Sequence, residues 1–242
     1  MAIQIGMTRY ILCFGLAIAL GKLCLEIAWH GFSTGLVALF PLYYGAGALA
    51  ALPLWFYRQA RQLHGSRMDR VMLGCTGLAA LFGVLHDQAA LRVSTEYFTI
   101  GHFPIAGIAS PTLLAALWGF LGTWWLGAGL GMLLALVAYG GEKPVFPVGL
   151  PLLKNGLVYL LGLEVFSWLM GWLGYMLAQA GLFPLPGEYA QLVPTARQPL
   201  FMADWWANGT AYLGVLAGMA GLSRHIVKAR SQAGAMVEVL KG

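Results

Sequence analysis

The sequence predicts an all-α, polytopic integral membrane bundle of about six transmembrane helices, with the N- and C-termini cytoplasmic. Three observations predict it. Only 10% of the residues are charged and 60% are hydrophobic, with a mean hydropathy of +0.74; a soluble domain carries roughly 25% charged residues. Several stretches supply the roughly 20 apolar residues that a spanning helix needs. They leave no room for a separate soluble unit, so residues 1–242 read as a single transmembrane helical domain. The basic residues, finally, are sorted. In a six-helix reading Arg9, Arg58, Arg61, Arg67, Arg70, Lys143, Lys154, Arg224, Lys228, Arg230 and Lys241 fall on one side, and only Arg92 and Arg197 fall in loops on the other. That is a positive-inside pattern. The net charge of +5 is therefore an orientation signal directed at a lipid bilayer, and it does not point to nucleic acid.

The first segment runs from about Tyr10 to Trp29. Its apolar run is longer than the core of a cleavable signal, so an uncleaved span is expected. Lys22, Glu26 and His30 follow one another at i, i+4 and i+8, along one helix face. The second segment, about Leu36 to Tyr57, ends in Trp55-Phe56-Tyr57, an aromatic cluster of the headgroup region. The third begins at Val71. About 15 apolar residues precede His86, or roughly 22 Å of helix, against a hydrocarbon core of roughly 30 Å. His86 and Asp87 are thus expected in the outer leaflet or at its edge.

From Leu85 to Thr112 the sequence predicts an outward polar loop between two apolar segments, carrying His86, Asp87, Arg92, Glu96, Tyr97 and His102. It closes at Ser110-Pro111, which reads as an N-cap followed by proline at the first helical position. The fourth segment, about Thr112 to Tyr139, has Trp124-Trp125 and the Gly127/Gly131 spacing suited to close helix contact. The fifth, about Leu152 to Leu182, holds Glu164 near its middle. A second irregular loop leads to the sixth, about Trp205 to Leu222, with a further such spacing at Gly214 and Gly218, and then a basic tail. No internal repeat is visible. Cys13, Cys24 and Cys75 lie in apolar segments and read as small buried hydrophobes, without metal spacing or a disulfide framework.

The residues His86-Asp87-Gln88, Glu96-Tyr97-Phe98-Thr99, His102, Ser110-Pro111-Thr112, Trp118-Gly119 and Thr123-Trp124-Trp125 resemble a family of uncharacterised bacterial multi-pass membrane proteins. The resemblance covers about residues 83–130. It implies a protein of the bacterial inner membrane with the 86–110 loop facing the periplasm, and it implies no activity. Proline often precedes the Glu-Tyr-Phe-Thr run in that family; Thr95 stands there in this chain, so a different local loop geometry is expected.

The sequence names no reaction. No phosphate loop, Gly-x-Ser-x-Gly elbow or haem-attachment motif occurs. His86, Glu96 and His102 supply imidazole and carboxylate donors suited to a divalent transition metal. Asp87 would orient His86 from behind, and Glu26 and His30 are further candidate ligands. The competing reading makes the same residues a hydrogen-bonded plug, because unsatisfied polar groups at membrane depth are costly. Glu96, Tyr97 and Glu164 are the candidate catalytic residues. Glu164 reads either as a proton-relay carboxylate or as a neutral acid bonded to a neighbouring helix.

Three functions compete. One is a membrane-embedded enzyme or redox protein with an outward site for a lipid, quinone or small periplasmic substrate. Another is a non-catalytic accessory or assembly subunit, joined to a larger membrane complex or to copies of itself. The third is a small-solute or proton-coupled transporter, with Lys22, Glu26 and Glu164 lining its path.

Overall fold

The computed structural model describes residues 56–239 apart from 104, 106, 142 and 143, together with the isolated positions 12, 13, 16, 19, 20, 51 and 54. The first two predicted segments, with Lys22, Glu26 and His30, lie outside the described residues. Among the described residues the structure is helical and contains no strand.

A helical run over residues 56–64 turns at Gly65, whose φ of +40° suits a residue without Cβ, into α1 (Ser66–Val93). Arg61 secures the turn by holding both carboxylate oxygens of Asp69 at 2.7–2.9 Å, while the Tyr57 hydroxyl donates to Asp69 Oδ1 at 3.0 Å. After α1 come the short α2 (Thr95–Thr99), α3 (Pro111–Tyr139), α4 (Leu150–Gln179), α5 (Tyr189–Leu192), a 3-10 turn over Thr195–Arg197 and α6 (Gln198–Val239). Among the described residues three stretches are long and apolar enough to cross a membrane: Ser66–Val93, Pro111–Tyr139 and Lys154–Gln179.

The predicted loop is shorter than its polarity suggests. His86, Asp87 and Arg92 belong to α1, which continues two turns past the end of the apolar run. Helical hydrogen bonding does not require apolar side chains. The helix ends at Ser94, whose extended backbone interrupts it while its N–H still reaches Ala90 O at 3.0 Å. Glu96 and Tyr97 then sit on α2. Ser110 caps α3 as expected, accepting from Leu113 N at 3.5 Å with Pro111 in the first turn. The fifth segment ends at Gln179 rather than Leu182. Gly181, at φ +72°, allows Leu182 N–H to reach Leu177 O at 2.9 Å and its own N–H to reach Ala178 O at 3.0 Å, the paired bonds of a Schellman stop. The sixth segment and the basic tail form one continuous helix of 42 residues.

Two antiparallel pairs result, α1 with α3 and α4 with α6. Small residues set the first seam. A Cβ on Gly83 would stand 2.3 Å from Gly119 O, and one on Gly119 would stand 2.4 Å from Gly83 O; Gly127 and Gly131 meet α1 near Cys75. In the second pair the spaced glycines receive side chains. Leu163 fills the notch at Gly214, and the Tyr159 ring fills that at Gly218 while its hydroxyl donates to Gly214 O at 2.6 Å. Cys75 is half-buried against Gly131, Cys13 is exposed rather than buried, and Cys24 lies outside the described residues. The outer face of α4 presents Val158, Leu161, Val165, Leu169 and Trp172, all large, apolar and exposed. Exposed apolar faces of this extent mark contact with a membrane or a partner.

The pairs are cross-linked at both ends. At one end the buried Arg230 of α6 donates to Val137 O, Gly140 O and Pro144 O at 2.6, 2.6 and 2.8 Å. This satisfies carbonyls that the C-terminus of α3 leaves open, and sets a cation against its dipole. At the other end, Arg197 reaches Glu96.

Candidate functional site: the polar centre between the helix pairs

His86 sits on the inner face of α1 and is 2% exposed. Its ring lies between Phe82, one turn earlier on the same helix, and Trp168 of α4, at centroid distances of 5.7 and 5.4 Å. The carboxylate of Glu164 accepts from both sides of this sandwich. His86 Nδ1–H donates to Oε2 at 2.8 Å, and Trp168 Nε1–H donates to Oε1 at 2.7 Å. Glu164 and Trp168 are four residues apart, so one helix face carries both. In the neutral ring with its proton on Nδ1, Nε2 is a lone-pair acceptor. It is buried and has no hydrogen-bond partner among the described residues.

Asp87 is also buried, next along α1. Asp204, near the start of α6, is fully buried. It faces the Ser94 backbone N–H, which is already engaged by Ala90 O, and neither carboxylate oxygen completes a hydrogen bond among the described residues. Imidazole and carboxylates from α1, α4 and α6 thus gather where the two pairs meet.

The other predicted site residues go elsewhere. Glu96 is bound by Arg197, Nε to Oε1 at 3.0 Å and Nη2 to Oε2 at 3.1 Å, with Ser94 Oγ donating to Oε2 at 3.0 Å. The Arg197 guanidinium holds the Glu96 carboxyl below its usual range. His102 stands in an aromatic box. It stacks on Phe98 at 5.4 Å with an interplanar angle of 8°, packs against Trp118 and Tyr97, and donates from Nδ1 to Tyr97 O at 2.8 Å. Burial lowers its pKa from the ordinary histidine value. Tyr97 lies among Phe98, His102 and Phe201, and burial raises its hydroxyl pKa.

The candidate metal set of His86, Glu96 and His102 is therefore not brought together. Each of the three has a separate environment, and among the described residues no three His, Cys, Asp or Glu side chains converge as a metal site. Asp87 stays beside His86, but the partner that orients the imidazole is Glu164. Of the candidate catalytic residues, Glu164 reaches the polar centre, whereas Glu96 is engaged by Arg197 and Tyr97 belongs to the aromatic box. The roles of Trp168 and Asp204 were not evident from sequence. The four-residue spacing of Glu164 and Trp168 was the available signal for the first, and Asp204 carried none beyond its sign.

His86 and Asp87 line one end of a cavity of about 1050 Å³ between the helix pairs. Thr123, Asn208 and Tyr212 share that end. Leu78, Leu126, Leu130, Leu160 and Val215 form apolar walls, and Arg67 and Arg70 stand at the far end. From Arg70 to His86 the cavity follows α1 for roughly 24 Å.

Comparison with family models, with curated proteins and with solved structures finds no match to this chain.

Proposed function

We propose that this chain is a six-span protein of the bacterial inner membrane that receives a lipid-soluble small molecule in the cavity between its helix pairs. The observation that carries this reading is the cavity itself: about 1050 Å³, walled by apolar side chains and lined at one end by buried polar ones. Ligand sites are commonly concave, largely apolar and furnished with a few convergent polar groups. No catalytic step is assigned to it.

The sorting of basic residues supports the orientation. Arg61, Arg67, Arg70 and Lys154 lie at the start of α1 or α4, Arg224, Lys228 and Arg230 toward the end of α6, and these ends meet around the α3 C-terminus. They would face the cytoplasm, and the 86–110 region the periplasm. The resemblance of residues 83–130 to bacterial multi-pass proteins supports the compartment. At roughly 63 Å, α6 exceeds the roughly 30 Å hydrocarbon core, and would carry the basic tail into the cytoplasm as helix.

Gly156 lines the cavity, and a Cβ placed there meets no atom within 4 Å. Gly156→Trp should therefore fill the space without displacing a helix. The protein and this variant are purified in mild detergent, and retained lipids are extracted and identified by mass spectrometry. A molecule retained by the unaltered protein and lost from the variant, at unchanged thermal unfolding, is expected. Identical extracts from both would overturn the reading.

A further inference from the structure

The chemistry of the cavity's outer end defines the head of its ligand, an inference that rests on the ligand-binding reading above. His86 Nε2 is buried and without a partner among the described residues, and the neutral ring with its proton on Nδ1 presents a lone pair there. Asp87, also buried, places its carboxyl beside it. The nearby hydroxyl groups keep their donors occupied, and Asn208 keeps one of its two N–H groups occupied. Thr123 donates to Gly119 O at 2.6 Å, Tyr212 to Gly122 O at 3.2 Å, and the Asn208 amide nitrogen to Asp204 O at 3.4 Å. Among the described residues this end therefore offers an unmatched acceptor and one spare donor, the second N–H of Asn208, a combination that a hydroxyl can answer by donating and accepting at once. Glu164 and Asp204 add two further carboxyls behind it, and among the described residues no lysine or arginine lines this end to pair with an anionic head. A head bearing only acceptors leaves Nε2 unmatched. A buried acceptor without a partner costs about 1–3 kcal/mol, which a ligand donor would recover.

We propose that the cavity binds an uncharged amphiphile whose head carries a hydroxyl group, of the long-chain phenol or hydroquinone class, with the O–H donating to His86 Nε2 and the tail lying along α1 toward Arg70. The tail's path is set by the apolar walls and by roughly 24 Å of available length. Glu164 acts as a positioning residue. By accepting from Nδ1 it keeps the lone pair on Nε2, and Trp168 holds it in place.

The test uses full-length protein in nanodiscs and three probes of equal chain length: an alkyl hydroquinone, its dimethyl ether and a fatty acid. Affinity is read from the quenching of intrinsic tryptophan fluorescence. The hydroquinone is expected to bind at least ten-fold tighter than its ether. His86→Phe, which preserves the stacking with Phe82 and Trp168, should abolish that difference while leaving the ether's affinity unchanged. Glu164→Gln should reduce the difference without abolishing binding. Equal affinity for hydroquinone and ether, with both excluded by Gly156→Trp, would overturn the head-group assignment and leave the cavity reading standing. Preferential binding of the fatty acid, lost in an Arg67→Gln/Arg70→Gln variant, would overturn it in favour of an inverted, anionic ligand. Failure of all three probes to bind would count against both readings.

Discussion

Arg197 holds Glu96 in a two-point grip, Nε to Oε1 at 3.0 Å and Nη2 to Oε2 at 3.1 Å, across 101 residues of sequence. It ties the break between α1 and α2 to the turn that precedes α6. The Glu96 carboxyl is lowered from its ordinary value of 4.5, so the folded state binds fewer protons than the unfolded chain in the acid range. The stabilisation is complete above about pH 4.5 and is lost as pH falls through the lowered value. Both side chains are partly exposed, at 20% and 39%, so the contribution is about 1 kcal/mol or less. Glu96→Gln should lower the melting temperature slightly at pH 7, and its deficit should shrink toward pH 3. Melting curves across that range in one detergent check this; a deficit independent of pH would show that the pair's charge does not matter.

Gly119 and Gly129 both lie in α3 but differ in surroundings. A Cβ on Gly119 would meet Gly83 O at 2.4 Å and Val84 Cα at 2.8 Å, whereas one on Gly129 meets nothing within 4 Å. Gly119→Val must force α1 and α3 apart at backbone level. It should cost at least the about 1–3 kcal/mol typical of overpacking. Gly129→Ala should be neutral or gain up to about 1 kcal/mol from helix propensity. Unfolding in mixed micelles distinguishes them, and equal stabilities would refute the glycine seam.

His102 exchanges solvent for three aromatic neighbours, and burial lowers its pKa below the ordinary 6.5. The unfolded state is then the better proton binder. Stability is complete above about pH 6.5 and is lost as pH falls through the folded value. His102→Phe should remove this acid-side loss while forfeiting the hydrogen bond to Tyr97 O, a cost of about 1 kcal/mol. A stability profile from pH 7.5 to 5 tests both parts. An unchanged slope in the variant would mean that another group carries the titration.

The parts of the structure legible in the sequence were those determined locally. Ser110-Pro111 starts a helix because the cap and the proline act within one turn. Gly127 and Gly131 announced a close seam because their spacing alone creates a groove. The polarity of residues 86–102 was legible as well, but not its arrangement. Polarity alone predicts a helix end near Leu85, whereas α1 stops only at Ser94. The partner of His86 lies 78 residues away on another helix, and nothing near His86 indicates which distant carboxylate it meets. The same distance hid the pairing of Glu96 with Arg197, although both were assigned to the same side. Gathering His86, Glu96 and His102 around one ion required a shared loop. Helical placement of His86 and aromatic enclosure of His102 separate them.

The cross-links between the helix pairs have a consequence for the order of assembly. Each glycine seam joins helices that flank one connecting stretch, so α1 with α3 and α4 with α6 can associate as hairpins soon after insertion. The contacts of His86 with Glu164 and of Arg197 with Glu96 close loops of 78 and 101 residues. They form only when two finished hairpins dock. The cavity exists only in the docked state, so any molecule that occupies it draws the hairpins together by mass action. Its availability during biogenesis would then set how much of the chain matures.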